Sequence, residues 1–273
     1  MKLGPTDGDR PLRVVVLTGG PALDPAVRTF VDRLERHGEV VLAALFCETG
    51  RSGFGGVWPD LWRRRGVLAL PLLLERAWNG ARRVLAAPSP WWLERRRLRA
   101  MNSRIHAVAD LHAGSVVRRI AALEPDLGLV YGGPILRADL FDLPRWGTLG
   151  IHHGKVPEYR GKKTTFWAIF NGEKEAGVTI QHVGQRLDRG GVVAAGAVPV
   201  GRRLPGRVWH DLERLGLDLY VDAVLRVKRG TAEPHPQTGK RRKLYRDPRP
   251  AQIAAFWWRW LVRLLGRRPG APA

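Results

Sequence analysis

The feature that most constrains the fold is an apolar run, Leu12–Thr18 (LRVVVLT), dominated by β-branched residues. Runs of this kind are typical of strands buried on both faces of a parallel sheet. A helical pattern follows over residues 24–37, and a second apolar run covers Val40–Phe46. Parallel neighbours need a crossover connection, which is usually a helix. The chain is therefore expected to open with a β-α-β unit of an α/β fold.

The alternation of strand and helix is interrupted once and then resumes. Residues 47–102 contain helical stretches broken by Gly and Pro, with tryptophans between arginine clusters, and we interpret them as an insertion. We predict a core domain over 12–230 that carries this 47–102 insert, and a basic tail over 231–273. Within the core, strands are predicted at 104–111, 127–131, 148–151, 177–180 and 192–200, and helices at 115–123 and 208–229.

The charge of the chain favours an anionic partner. Its formal net charge is +21, and most of the excess lies in residues 47–102 and after residue 240. Nucleic acid, an anionic membrane or a phosphorylated substrate would each suit such segments. Arginine-rich codon usage is the alternative explanation. At 273 residues and 44% hydrophobic content, the chain can bury one substantial core.

Sequence features also indicate a compartment. Cys47 is the single cysteine, so no intramolecular disulfide can form, which fits a reducing cytoplasm. The N-terminal residues contain no apolar signal-peptide core. No stretch approaches the roughly 20 uncharged apolar residues of a membrane span. We expect a cytoplasmic protein, associated with the cytoplasmic face of a membrane if its basic segments bind lipid.

The last segment, residues 251–268 (AQIAAFWWRWLVRLLGRR), is predicted to be an amphipathic helix. Tryptophan beside arginine on such a helix is typical of a membrane interface, so 47–102 and 251–268 are candidate contacts with an anionic membrane. Docking on its own domain, packing in a homodimer and nucleic-acid binding are the alternatives. The apolar stripe consists of Ile253, Phe256, Trp257, Trp260 and Leu264, with arginines opposite.

The candidate chemistry lies in residues 147–191. One predicted strand delivers His152 and His153, and another leads into a Gly-flanked loop that contains Asp188. A histidine and an aspartate placed in this way form a plausible acid/base pair. The alternatives are a hydrogen-bonded core histidine and a turn aspartate. Adjacent histidines on a strand point to opposite faces, so His152, His153 and His182 are not expected to bind a metal.

A series of motifs in this order resembles the folate-dependent formyltransferases, a family that includes the glycinamide ribonucleotide, methionyl-tRNA and sugar N-formyltransferases. The motifs are PDLGLVYGGPIL, G-x-L-x-I-H, V-P-x-Y-R-G, W-A-I-x-N-G-E, G-V-T-I and L-D-x-G-G. The resemblance implies a Rossmann-like parallel sheet with His152 and Asp188 as catalytic residues. It also implies 10-formyltetrahydrofolate as the donor. The expected donor contacts are Gly132, Gly133, Ile135, Leu136 and Gln181.

One departure from the family pattern concerns the chemistry. The family's catalytic asparagine falls on Gly150, which has no side-chain donor, and loss of one such donor can cost about 10²–10³ in rate. His153 or Lys155 could compensate. The sequence therefore leaves two readings open, a formyltransferase and a repurposed protein that binds without catalysing.

The acceptor is expected to be a small amine. Only about 40 residues follow Gly230, without the strand alternation of a second barrel domain, so tRNA is an unlikely partner on this reasoning. The basic additions instead favour an aminosugar or cell-envelope precursor handled near a membrane.

Overall fold

The computed structural model describes residues 10–19, 25–49, 103–185, 188–239 and 244–264. The predicted insert lies outside the described residues from residue 50 onward. Its first two positions, Cys47 and Glu48, belong to a core strand.

The described part of the chain forms one sheet with helices on both faces. Its strands are β1 (Leu12–Gly19), β2 (Val40–Glu48), β3 (Ile105–Val108), β4 (Leu127–Tyr131), β5 (Thr148–His152), β6 (Glu175–His182) and β7 (Val192–Pro199). Its helices are α1 (Pro25–Glu35), α2 (Gly114–Ala121), α3 (Ala138–Phe141), α4 (Thr164–Phe170), α5 (Pro205–Lys228) and α6 (Pro250–Leu264).

The sheet has seven strands in the order β3-β2-β1-β4-β5-β6-β7. The pairs from β3 to β5 are parallel, whereas β5–β6 and β6–β7 are antiparallel. The expected Rossmann-like α/β fold is confirmed, with a mostly parallel sheet. The order reverses between β1 and β4, and open α/β sheets bind ligands at the carboxyl ends of strands near such a point.

β1 is buried on both faces, as its sequence predicts. Val14 and Val16 belong to the core beneath α1 and α5, while Val15 and Leu17 belong to the core beneath α2. All four side chains are at most 1% exposed. Because successive residues of a strand point to opposite faces, a continuous apolar run fits a strand covered on both sides.

The predicted elements exist, with shifted ends. The strand predicted over 104–111 is limited to Ile105–Val108. The helix predicted over 208–229 begins earlier, at Pro205, a position where the missing N–H of proline costs no helical hydrogen bond. Both differences concern the ends of elements, where the pattern of apolar residues gives the least information about the boundary.

The amphipathic α6 packs on its own domain. Ile253 and Phe256 are buried, and the Phe256 ring stacks on Phe166 of α4 with centroids 4.6 Å apart. The Arg259 guanidinium donates to the Phe170 carbonyl at 3.0 Å. Docking on the domain therefore accounts for the inner stripe, although its last residue, Leu264, is 40% exposed. No helix in the described ranges is long and apolar enough to cross a membrane.

Residues 231–239 and 244–249, called the strap below, run from α5 to α6 across the antiparallel end of the sheet. His235 forms a bridge to Val192 at the start of β7, with N–H···O distances of 2.8 and 2.9 Å. Tyr245 forms another with the loop after β5, accepting from Lys162 N–H at 2.9 Å and donating to the Arg160 carbonyl at 2.8 Å. The strap thus connects the loop after β5 with the region between β6 and β7.

Candidate active site

β5 and β6 bring the candidate residues together. In their antiparallel register, Gly150 lies opposite Gln181 and His152 lies opposite Thr179. Residues two apart on a strand share a face, so Gly150, His152 and Gln181 occupy the same face of the sheet. The loop after β6 returns to this face and places Asp188 beside His152.

His152 sits between two acceptors. Its Nε2 atom is 2.7 Å from the Tyr159 carbonyl oxygen, and its Nδ1 atom is 3.5 Å from Asp188 Oδ1. The side chains of His152 and Asp188 are only 11% and 10% exposed. A neutral imidazole has one N–H, whereas a protonated ring can donate to both partners. The structure thus brings His152 and Asp188 together as the sequence predicts, and their role as an acid/base pair stays a prediction.

Asp188 is held by its neighbours in an uncommon conformation. Its φ angle is +50°, in the left-handed region, which aspartate tolerates better than most residues. Its Oδ2 atom accepts the Gly161 N–H at 2.9 Å, and its Oδ1 atom accepts the Gln181 amide at 3.1 Å. Both carboxylate oxygens are thus directed by the protein, as a residue with a chemical role requires.

A cavity of about 200 Å³ opens on this face of the sheet. Val130, Leu136 and Val183 supply apolar walls, and Gln181 and Asp188 supply polar groups. It is also lined by Gly150 and by the other residues expected to contact the donor, namely Gly132, Gly133 and Ile135. A Cβ at Gly133 would lie 3.3 Å from Val130 and 3.5 Å from the Leu17 carbonyl, so a larger residue there would require Val130 to shift by a few tenths of an ångström.

The family model described as Formyl transferase matches residues 93–212. Two similar relatives are methionyl-tRNA formyltransferases from Roseiflexus sp. (strain RS-1), 36% identical over 125 residues, and from Chloroflexus aurantiacus, 37% identical over 131 residues. These matches cover 45% and 46% of this chain but only 38% and 42% of the relatives. The formyl transferase match is thus confined to residues 93–212 of the 273-residue chain. The chain spans about two fifths of the length of these relatives.

Solved structures of formyltransferases show the same fold at low identity. Glycinamide ribonucleotide transformylase 1 from Symbiobacterium toebii has a TM-score of 0.58 at 15% identity, covering 82% of this chain and 94% of that one. A sugar N-formyltransferase from Shewanella sp. FDAARGOS_354 has a TM-score of 0.57 at 14% identity, with 92% and 88% covered. HypX from Aquifex aeolicus, solved with tetrahydrofolic acid, has a TM-score of 0.55 at 16% identity, with 95% and 35% covered.

The two residues proposed to compensate for Gly150 lie away from it. His153 points to the opposite face of the sheet, where its Nε2 atom is 2.8 Å from Glu213 Oε2 of α5. Glu213 also accepts a hydrogen bond from the Tyr131 hydroxyl. The Lys155 side chain is exposed, and its backbone packs against Gly177. The residue that faces Gly150 is Gln181, which sequence reasoning assigned only to donor binding.

A second cavity of about 800 Å³ begins at Gly154 and Thr179 and extends beneath the strap. Tyr159 lines it and donates to Glu173 Oε1 at 2.6 Å. Burial and the bond to Glu173 raise the pKa of the Tyr159 phenol, so this hydroxyl stays protonated at neutral pH. The cavity adjoins the His152 loop and offers room for a second ligand.

Sequence reasoning did not find Gln237. Its amide nitrogen donates to the Asp188 carbonyl at 2.9 Å and to the Gly190 carbonyl at 3.0 Å, and it lies 3.3 Å from Gln181 Oε1. The residue lies in the strap, beyond the matched segment, and no motif marks it. Within the described ranges, no three His, Cys, Asp or Glu side chains come together as metal ligands.

Proposed function

We propose that this chain transfers a formyl group from 10-formyltetrahydrofolate to the amine of a small acceptor. The observation that carries the proposal is the largely buried His152–Asp188 pair, of which Asp188 lines a cavity whose lining includes the residues that the formyl transferase family resemblance assigns to the donor. The match of residues 93–212 to that family supports the same reaction.

The chemistry required is an exchange of one C–N bond for another. The acceptor nitrogen bonds to the formyl carbon, the bond from that carbon to the donor nitrogen breaks, and the acceptor's proton ends on the released nitrogen. His152 and Asp188 can accept that proton and return it, because one ring lies between two acceptors.

The residues around the smaller cavity fit a folate-type donor. Apolar walls from Val130, Leu136 and Val183 suit a flat ring, and the paired glycines after β4 let such a ring approach the backbone. The donor would supply an activated formyl group at this position. Asp188 and Gln181 would then lie at the polar end of the cavity.

The acceptor is proposed to be an aminosugar or cell-envelope precursor. The larger cavity, at about 800 Å³, falls in the usual range for ligand pockets of roughly 300–1,000 Å³. The net charge of +21 suits an anionic acceptor such as a phosphorylated sugar. Because relatives carry the name methionyl-tRNA formyltransferase, the expectation that tRNA is not a partner stays a prediction, and charged tRNA belongs in the assay.

A second candidate is a protein that binds a folate without transferring its formyl group. Gly150 favours it, because the resemblance places an amide side chain there. Both candidates predict that the chain binds the donor, but only the formyltransferase predicts turnover.

The assay that separates them uses purified chain, 10-formyltetrahydrofolate and a panel of aminosugars, their nucleotide-linked forms and charged tRNA. Transfer releases tetrahydrofolate, which absorbance follows, and a His152→Ala variant is the matched control. Transfer that disappears in the variant supports the formyltransferase. Donor binding by calorimetry without turnover on any amine supports the binding protein. Absence of donor binding would refute both.

The expected contact with an anionic membrane is proposed for the outward face of α6. Trp258 and Leu261 are 67% and 44% exposed there. The protein should float with anionic liposomes, and a variant with both residues changed to serine should not. If the variant floats as well as the wild type, the proposed membrane contact is wrong. Light scattering on the protein without liposomes tests the alternative that α6 packs in a homodimer.

A further inference from the structure

Transfer of an acyl group places negative charge on the carbonyl oxygen, and a preorganised N–H donor lowers the barrier to that step. Of the described side chains that line the smaller cavity, those with N–H groups are Gln181, His182 and Gln185. The His182 ring lies against Gly147, at the far end of β5, and Gln185 is exposed. Gln181 alone is buried, at 7% exposure, next to Asp188.

The surrounding hydrogen bonds decide which way the Gln181 amide points. The Asp188 and Gly190 carbonyls can only accept, so the Gln237 atom facing both must be its nitrogen. That nitrogen donates its two hydrogens to these carbonyls and lies 3.3 Å from Gln181. Because Asp188 Oδ1, on the other side of the Gln181 amide, can only accept, the Gln181 atom that faces Gln237 is the oxygen. The Gln181 nitrogen is thereby turned toward Asp188 Oδ1, at 3.1 Å.

This orientation leaves one N–H of Gln181 for a ligand. An amide nitrogen carries two hydrogens, and among the described residues Asp188 is the acceptor of one. Gly150, directly opposite on β5, contributes no side chain to the space in front of the amide. His152 is the next residue along the same face.

We propose that Gln181 is the catalytic donor to the formyl oxygen, and that Gln237 is a positioning residue that fixes both the Gln181 amide and the Asp188 backbone. This inference rests on the proposed formyl transfer and deepens it. It also assigns the strap a part in the site, since Gln237 lies beyond the matched segment.

The first test replaces the amide. Gln181→Ala should lower turnover by about 10²–10³-fold. Affinity for tetrahydrofolate, measured by calorimetry, should change less than about twofold, because the amide acts on the transferred group. Gln252→Ala, which removes a glutamine amide in α6, is the matched control and should keep full turnover. Full turnover in Gln181→Ala would overturn the assignment, and so would an equal loss of turnover and binding.

The second test moves the amide across the strand pair. Gly150→Asn in the Gln181→Ala background returns an amide to the same space from β5. A Cβ at Gly150 would lie 3.2 Å from Val183 Cγ2, so the valine has to shift by a few tenths of an ångström. We expect turnover to recover by about tenfold or more, a part of what one donor contributes. A folded double variant with no recovery would argue against a donor role for this space.

The third test addresses Gln237 and includes a measurement that needs no donor. Gln237→Ala should accelerate hydrogen exchange in residues 188–191, while Thr238→Ala on the same strap should not. Unchanged exchange would overturn the positioning role, even if the chain transferred no formyl group. In the active protein, Gln237→Ala should lower turnover about tenfold alone and add little to Gln181→Ala, because coupled residues are not additive. Full additivity would contradict action through Gln181.

Discussion

The parallel and antiparallel parts of the sheet differ in what fills them. Around β1, β2 and β4, aliphatic and aromatic side chains are packed on both faces, and Leu12, Val14, Leu127 and Leu129 are fully buried. Around β5, β6 and β7, the face that carries His152 is occupied by glycine, threonine, glutamine and a loop aspartate. The first part has a dense core and contributes apolar and glycine lining to the smaller cavity, whereas the second supplies the polar side chains of the candidate site.

The difference shows where stability and chemistry are separated in this fold. A dense core stabilises the chain but leaves no room for a ligand, whereas a site needs space and directed polar groups. In the antiparallel part, hydrogen bonds from the strap orient the polar groups, which are not fixed by close packing. Substitutions in the two parts should therefore have different signatures.

The largest expected effect is on activity in the antiparallel part. Asp188→Asn keeps the side-chain size and tolerates the left-handed backbone, but it removes the carboxylate next to His152. We expect turnover to fall by about 10²–10⁴-fold, the contribution of a positioned acid/base group, with the melting temperature nearly unchanged. Steady-state kinetics and calorimetry measure both. A large fall in melting temperature would show that Asp188 is structural.

The converse change lies in the parallel part. Phe30 of α1 is fully buried, with its ring 4.5 Å from Tyr220 and 5.5 Å from Tyr131. Phe30→Ala should lower the free energy of unfolding by about 3–5 kcal/mol through the cavity it leaves. Turnover per folded molecule should stay within about twofold. Denaturant titration measures the free energy of unfolding. A comparable loss of turnover per folded molecule would show that stability and activity are not separated between the two parts of the sheet.

Gly161 tests the connection between the strap and the site. Its φ is +98°, a region that disfavours other residues, and a Cβ would collide with the Tyr245 carbonyl oxygen. Gly161→Ala should cost about 1–3 kcal/mol of stability. It should also lower turnover by up to about 10²-fold, because the N–H that holds Asp188 moves. If Gly161→Ala has the kinetics of the wild type, the contact between the strap and Gly161 does not contribute to catalysis.

The smallest effect concerns a buried hydroxyl and its pH dependence. Tyr220 donates to the Leu149 carbonyl at 2.7 Å, and burial raises its pKa well above the ordinary value of about 10. The folded state therefore holds this proton longer than the unfolded state. The stability that results is complete below pH 10 and is lost as pH rises above it.

Tyr220→Phe should cost about 1–2 kcal/mol at pH 7, through the carbonyls it leaves unpaired. It should then lose less stability than the wild type between pH 10 and pH 11. Denaturant titrations over this range decide the matter. Parallel curves for the two proteins would show that another group controls the alkaline transition.

Much of the parallel part could be predicted from the sequence, because strands buried on both faces leave continuous apolar runs such as Leu12–Thr18. That His152 and Asp188 lie close together could be predicted as well, since His152 ends β5, Asp188 lies in the loop after β6, and both match a family motif. Their catalytic role stays a prediction. Helical periodicity predicted α6 and most of its apolar stripe. It could not show what the stripe packs against, because the partner, Phe166, lies far away in the sequence.

The contacts made by Gln237 could not be predicted. The residue is 56 positions from Gln181 and 49 from Asp188, and a glutamine in an extended segment carries no pattern. The antiparallel pairing of β6 could not be predicted either, since the side chains of a strand alternate in the same way whichever direction the strand runs. In both cases the information lies in tertiary contacts.

The strap has a consequence for how the protein is made. A ribosome releases the chain from its N-terminus at about 5–20 residues per second, and the early part of a domain can fold first. Residues up to the end of α5 contain every strand of the sheet, but Gln237 and Tyr245 emerge afterwards. A nascent chain would thus possess its core before the loop around Asp188 is held in place. The candidate site would be incomplete until synthesis has passed the strap.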